Sequence, residues 1–220
     1  MKYTIGVLVT NWSEYEEMRK TFIDKGFKET DCEYLTIDNT NGNTMCAYSG
    51  NNKILNDAKG DYVILCHQDI RISYDSRGIL DAKLKQLDRI DPNWALAGNA
   101  GGVALNELAI RITDPFGYNQ QRGKFPAKVM SLDGNFMIVK NSTRLAFSND
   151  LSGFHFYDAD ICLNAGIRGY NVYVIDFHLQ HLGAGKINEH YHKMKQSFSE
   201  KWKRVLNHRV IQMTHSQVEI

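Results

Sequence analysis

Apolar residues in this chain gather into short continuous runs separated by longer amphipathic stretches, and that alternation predicts strands and helices in turn. Residues 3–10 are β-rich and almost wholly apolar, the composition of a strand covered on both faces of a parallel sheet. Asn11-Trp12 turns the chain, and Ser13 with Glu16 has capping-box spacing. Met18, Phe22 and Ile23 supply the apolar stripe of a helix that Gly26 ends. Residues 34–37 predict a second strand, closed by the turn formers of 38–43. A helix carrying Ile54, Leu55 and Ala58 stops at Gly60, and 62–66 is a third buried strand that ends in His67-Gln68-Asp69. Strand, helix, strand, helix, strand predicts an α/β fold with a mostly parallel central sheet flanked by helices.

The pattern continues with an amphipathic helix over 76–90, its Leu80, Leu84 and Leu87 facing a core. Asp91-Pro92-Asn93 breaks the chain, 94–97 forms a strand, and 98–102 reads as a flexible glycine loop. That loop is not G-x-G-x-x-G and opens no helix, so it predicts no dinucleotide site. Residues 106–127 are polar and weakly patterned, an excursion over the sheet face. Strands at 129–132 and 136–139 flank Asp133-Gly134. Between 154 and 181 an acidic pair, Asp158 and Asp160, opens a short helix, as the positive end of the helix dipole favours. Gly169 ends that helix with positive φ. A strand over 172–179 follows, and by period two His181 continues the face of Tyr173, Ile175 and Phe177. A last helix spans 189–206, with Phe198 and Trp202 as a packing pair.

Composition narrows the classes. At 220 residues and 43% hydrophobic, the chain suits one domain with a sizeable core. With 26 basic against 25 acidic residues it has no global charge to draw nucleic acid or an anionic membrane. No apolar run approaches a spanning length, and no signal-peptide pattern opens the chain. Cys32, Cys46, Cys66 and Cys162 are scattered without C-x-x-C spacing, as for buried thiols in a reducing compartment. A soluble intracellular protein is the expectation.

In α/β sheets ligands bind beyond the carboxyl ends of the strands. Asp38, His67 and Asp69 fall at that edge, and Asp158 and His181 join them. Alone, an acid heading a helix is a cap and a histidine after a strand is structural. Together they suggest more. His67 and Asp69, at i and i+2, both reach a cation if the backbone turns sharply. Carboxylates suit Mg²⁺ or Mn²⁺, and imidazole shifts the choice toward Mn²⁺. Asp158 is then placed to act as a general base.

These residues are collinear with a known family. The chain resembles the family 2 glycosyltransferases of the GT-A fold, and within them a small bacterial branch with His-Gln-Asp at the metal motif. The resemblance runs from Tyr3 to about Trp202. It is carried by Asp38-Asn39 after an apolar strand, Asn52 before Ala58-Lys59-Gly60-Asp61-Tyr62, and His67-Gln68-Asp69 where Asp-x-Asp is usual. Asp133-Gly134 with Phe136-Met137, Tyr157-Asp158-Ala159-Asp160 where Glu-Asp-x-Asp is usual, and the closing strand to His181 complete it.

The resemblance implies a single GT-A (Rossmann-like) domain over 1–220, with a nucleotide-binding half at 1–105, an acceptor and metal half at 106–186, and a C-terminal helical extension at 187–220. It implies an inverting transfer of sugar from a nucleotide-diphosphate sugar, UDP-sugar favoured, to a saccharide or lipid-linked acceptor, as in polysaccharide synthesis. Asp158 would be the base, Asp69 and His181 the ligands of Mn²⁺ or Mg²⁺, and Asp38, Asn39, Asn52 and His67 the nucleotide side. Asp133, Gly134, Tyr157 and Asp160 would face the acceptor. The implied location is cytoplasmic, with the inner membrane face and a homo-oligomer left open. The competing readings are an inactive nucleotide- or sugar-binding module of the same fold and a nucleotidyltransferase; for the latter, Thr10-Asn11-Trp12-Ser13 offers no glycine- and lysine-rich phosphate loop.

Overall fold

A computed structural model of the chain describes residues 1–185 and 187–220. In order these form β1 (Tyr3–Val9), α1 (Trp12–Asp24), β2 (Cys32–Asp38), α2 (Ala47–Asp57), β3 (Tyr62–Cys66), β4 (Ile70–Arg71) and α3 (Arg77–Ile90). Next come β5 (Trp94–Gly98), β6 (Ala100–Ala104), β7 (Glu107–Asp114), β8 (Gly117–Arg122), β9 (Ala127–Lys128), β10 (Ser131–Leu132) and β11 (Phe136–Lys140). The chain closes with α4 (Tyr157–Ile167), β12 (Asn171–Val174), β13 (Leu179–His181), α5 (Glu189–Val205), β14 (Val210–Gln212) and β15 (Gln217–Glu219).

The central sheet runs β2-β1-β3-β11-β5-β12-β9. Tyr3, Ile5, Val7 and Val9 of β1 pack with Met18 and Phe22 of α1 and Leu80, Leu84 and Leu87 of α3. Leu65 and Met137 join α2, α4 and α5 in the second core on the other face. Phe198 and Trp202 of α5 are both buried there.

The sheet is mixed, not mostly parallel. β1, β2 and β3 are parallel, as are β5 and β12, but β11 runs antiparallel to both β3 and β5. The chain reaches β11 from the carboxyl edge, where Phe136 pairs with Cys66, the last residue of β3. A strand entering there has to run backwards.

A second sheet, β10-β6-β7-β13-β4 with β8 on β7, stands over that edge. It overturns three expectations. Residues 98–102 are strand apart from a bend at Asn99, because the glycines serve close approach: a Cβ on Gly101 would meet the Ser131 carbonyl, and one on Gly102 the Gln212 carbonyl. The 106–127 excursion contains the β7–β8 hairpin. The run 172–179 breaks into β12 and β13, which belong to different sheets, so His181 does not continue the face of Tyr173. Two smaller differences are local. Helix α1 starts two residues earlier than the capping box requires, and the Asn11 side chain accepts from the Ser13 and Glu14 amides instead. The 187–220 extension is a helix followed by the β14–β15 hairpin. Gly169 does take positive φ, at 79°.

Candidate active site

Three side chains able to hold a metal ion meet where the two sheets touch. β3 ends at Cys66, and the His67 amide donates to the Asn135 carbonyl at 3.0 Å, so the chain turns sharply and re-enters as β4. β4 pairs with β13 antiparallel, Ile70 opposite His181, which carries His181 to Asp69. Asp69 Oδ1 lies 3.3 Å from His181 Nε2 and 3.8 Å from His67 Nδ1, and one ligand atom from each residue falls within 4.8 Å of the others. Asp69 Oδ1 and His181 Nε2 are buried without a hydrogen-bond partner among the described residues. Buried polar atoms left unpaired are costly, and two imidazoles with one carboxylate form a donor set for a first-row divalent cation, Fe²⁺ and Mn²⁺ among them. The residues fit a divalent cation. Gly183 lies so close that an added Cβ would run into Asp69 Oδ2.

The three donors are tuned differently, and His181 has to give up its proton before it can bind a cation. Burial opposes ionisation of Asp69, but His181 and then His67 outweigh it and hold the carboxyl below its ordinary range. Burial likewise opposes charge on His181, and Asp69 overcomes it and raises the imidazole. His67 is pushed down, by burial first and then by His181, which keeps it neutral with a lone pair to give.

Asp158 sits in the first turn of α4. Its Oδ2 accepts from the Gly134 amide at 3.0 Å and its Oδ1 from the Ala159 amide at 2.8 Å. Burial, then the charge of Asp133, raises its carboxyl to about 7, against those two donors. A carboxylate tuned to neutral pH is suited to taking and returning a proton. Asp133 behaves oppositely. Burial opposes its charge, but Thr214 Oγ1 donates to Oδ2 at 2.6 Å and the Asn135 amide and side chain both donate to Oδ1, so its carboxyl lies below the ordinary range.

Two cavities flank this cluster. One, about 290 Å³, is lined by Thr10, Ala47, Asn51, Gln68 and Asp69 among others. The second, about 300 Å³, contains Asp133, Asp158, His181 and Phe116 in its wall. His67, Gly134, Phe154 and Tyr157 line both, so the cluster forms the partition between them.

The structure therefore brings together His67, Asp69, Asp133, Gly134, Tyr157, Asp158 and His181. Four expected residues stand elsewhere. Asp38 is exposed at the carboxyl end of β2, where its Oδ1 accepts from the Thr40 amide and hydroxyl at 2.9 and 2.6 Å. Asn39 is buried and clamps its own loop through Met45 and Thr44. Asn52 exchanges hydrogen bonds with Phe147, its side chain giving to the carbonyl and taking from the amide, so it ties α2 to the loop before α4. Asn51, one residue earlier, faces the first cavity instead.

Asp160 is fully buried on the side of α4 opposite Asp158, as i, i+2 spacing on a helix requires. It accepts from the Ser148 amide and hydroxyl, from Asn164 and from Trp202 Nε1, fastening α5 to α4. Asp160→Ala strands those donors, each costing about 1–3 kcal/mol when buried unpaired. A loss near 3 kcal/mol, or about 6–12 °C in Tm for a chain of this size, is the expected result of thermal unfolding, with Mn²⁺ affinity of the folded fraction unchanged.

Two contributions were not foreseen. Gln68 points away from its neighbours and plugs the first loop: its Oε1 accepts from the Thr10 and Asn11 amides at 2.8 and 3.0 Å, and its Nε2 gives to Glu14. Residues 67–69 form the turn between β3 and β4, so no strand period places Gln68, and only the contact with the first loop does. Thr214 and His215 reach Asp133 from the turn of the last hairpin, and nothing local in the sequence announces that.

Comparison with known proteins adds two findings. A protein of Fuscovulum blasticum named ATP synthase subunits region ORF 6 is 32% identical over 226 residues, covering 100% of this chain and 91% of that one. The chain belongs to that protein's family. No family model matches it. Among solved structures, S. aureus TarS in complex with UDP-GlcNAc matches with a TM-score of 0.59 at 12% identity, over 91% of this chain and 66% of that one. GalNAc-T7 with UDP, GalNAc and Mn²⁺ matches with a TM-score of 0.62 at 10% identity, over 92% and 49%. The family member described here thus has the mixed α/β fold of the GT-A glycosyltransferases, and spans about half to two thirds of the length of those two solved chains. Among its described residues no helix is long and apolar enough to cross a membrane.

Proposed function

We propose that this chain is an inverting, metal-dependent glycosyltransferase of family 2 that moves a sugar from a UDP-sugar to an acceptor hydroxyl. One observation carries the reading: a carboxylate tuned to about 7, Asp158, and a His-Asp-His cation site share the partition between two cavities. The first cavity takes the donor and the second the acceptor. Asp158 accepts the proton of the acceptor hydroxyl as its oxygen bonds to the anomeric carbon, while the bond from that carbon to the diphosphate oxygen breaks on the opposite face. His67, Asp69 and His181 would hold Mn²⁺ or Mg²⁺, which supplies charge stabilisation on the departing diphosphate. The fold shared with proteins solved with UDP and UDP-GlcNAc supports the choice of donor. A cytoplasmic place of action belongs to the same reading.

The test is a thermal shift with UDP, GDP, TDP and CDP, each with and without Mn²⁺, followed by analysis of the anomeric configuration of any product. A rise in Tm for UDP that needs Mn²⁺, with inverted product, is expected. A shift without turnover would leave a nucleotide-binding module, and no shift with any diphosphate would sink the proposal.

A further inference from the structure

We propose that Tyr157 is a positioning residue that holds His67 as its Nε2–H tautomer, so that Nδ1 is free to bind the cation. This rests on the metal-binding part of the reading above and is independent of sugar transfer. His67 Nε2 lies 2.8 Å from the Tyr157 hydroxyl, and that hydroxyl is 3.3 Å from the Gly134 carbonyl, to which it donates. A carbonyl only accepts, so the phenol proton goes to Gly134 and the phenol oxygen accepts from His67. The proton of neutral His67 is then on Nε2, and Nδ1 presents a lone pair toward Asp69.

The reverse arrangement satisfies fewer groups. It would deprive the Gly134 carbonyl of the phenol proton and place an N–H on Nδ1, 3.8 Å from Asp69 Oδ1, beyond hydrogen-bond reach. The phenol has little freedom to choose otherwise. Its ring is buried, with Tyr48 and Phe147 at centroid distances of 6.4 and 6.1 Å. Gly134 permits the approach, since a Cβ there would collide with the Tyr157 hydroxyl. The same glycine gives its amide to Asp158, so one residue spaces the cation site from the base. Partners that fix the tautomer of a ligating histidine commonly change metal affinity 10–100-fold when removed.

The experiment uses the full chain with ¹⁵N-labelled histidine. In the metal-free wild type, NMR should show the His67 signal, identified by its loss in His67→Ala, as Nε2–H with bare Nδ1; an Nδ1–H signal overturns the proposal without any variant. In Tyr157→Phe, which keeps the packed ring, the two tautomers should mix. Mn²⁺ titration followed by electron paramagnetic resonance should give about 10–100-fold weaker binding in Tyr157→Phe. The double variant Tyr157→Phe/His67→Ala should bind no more weakly than His67→Ala alone. Equal affinity in wild type and Tyr157→Phe, or losses that add in the double variant, overturn it. The expected tautomer and affinity losses in a protein with no transferase activity would support this inference while sinking the transferase reading.

Discussion

Asp158→Asn is expected to lower kcat by about 10²–10⁴ while leaving Mn²⁺ and UDP binding near wild-type levels. That is a loss of about 3–5 kcal/mol of transition-state stabilisation, at 1.36 kcal/mol per factor of ten. The amide has nearly the shape of the carboxylate, and its oxygen still accepts one of the two amides that Asp158 accepts, from Gly134 or Ala159. It cannot take a proton. Single-turnover sugar transfer, with Mn²⁺ affinity measured on the same sample, separates lost chemistry from lost binding. A variant that kept its rate would reduce Asp158 to a helix cap.

The pH profile gives the same test a second readout. Asp158 titrates near 7, and the base works when ionised, so wild-type kcat should fall as pH drops through about 7. Asp158→Asn should lose that limb. Stability should move the other way. The folded carboxyl is raised above its ordinary value of 3.8, so between those values the folded state binds more protons than the unfolded chain. This group's contribution to stability is therefore present at low pH and lost as pH rises from about 4 to 7. Asp158→Asn removes the dependence, and its Tm should fall less than that of the wild type between pH 5 and pH 8.

How much of this site could be read from the sequence depended on how local each constraint was. The turn after Cys66 and the first turn of α4 are set by neighbouring residues, and His67, Asp69 and Asp158 were placed by them. His181 does lie beside Asp69, but not for the reason strand period gives. Period-two alternation from Tyr173 assumed one strand, whereas the chain leaves the central sheet after Val174 and His181 is brought to Asp69 by pairing with β4 in the second sheet. The antiparallel β11 was illegible because its direction depends on where a long detour through β6–β10 returns, and no window of sequence records that. Glycines misled in the same way: Gly101 and Gly102 look like flexibility and act as clearance for strands far along the chain. Asn52 and Asp160 carry the right residue types beside the site, yet their side chains face Phe147, Ser148 and Trp202. Only the packing of α4, α5 and the loop before α4 decides that.

Asp69→Asn is expected to abolish the response to Mn²⁺ and to lower kcat/KM by about 10³, the several kcal/mol a bound cation supplies to developing charge. Asp69 is the one anion of the triad, and its buried Oδ1 has no hydrogen-bond partner among the described residues. An amide there offers a cation a weak dipole in place of a charge, or turns its N–H₂ against it. The imidazole partner should change too. Asp69 is what raises His181 against burial, so in the variant the His181 pKa should drop, and proton NMR of the histidine ring can follow it. Folding is the control. The wild type at 100 times its Kd for Mn²⁺ gains about 2.7 kcal/mol from binding, a Tm rise of about 5–10 °C at this chain length. Asp69→Asn should show no rise, while its metal-free Tm stays close to that of the metal-free wild type, because the ion pair lost with His181 is offset by no longer burying a charge. Retention of the Mn²⁺-dependent rise would take Asp69 out of the cation site, and with it the reason for pairing His67 with His181 across the two sheets.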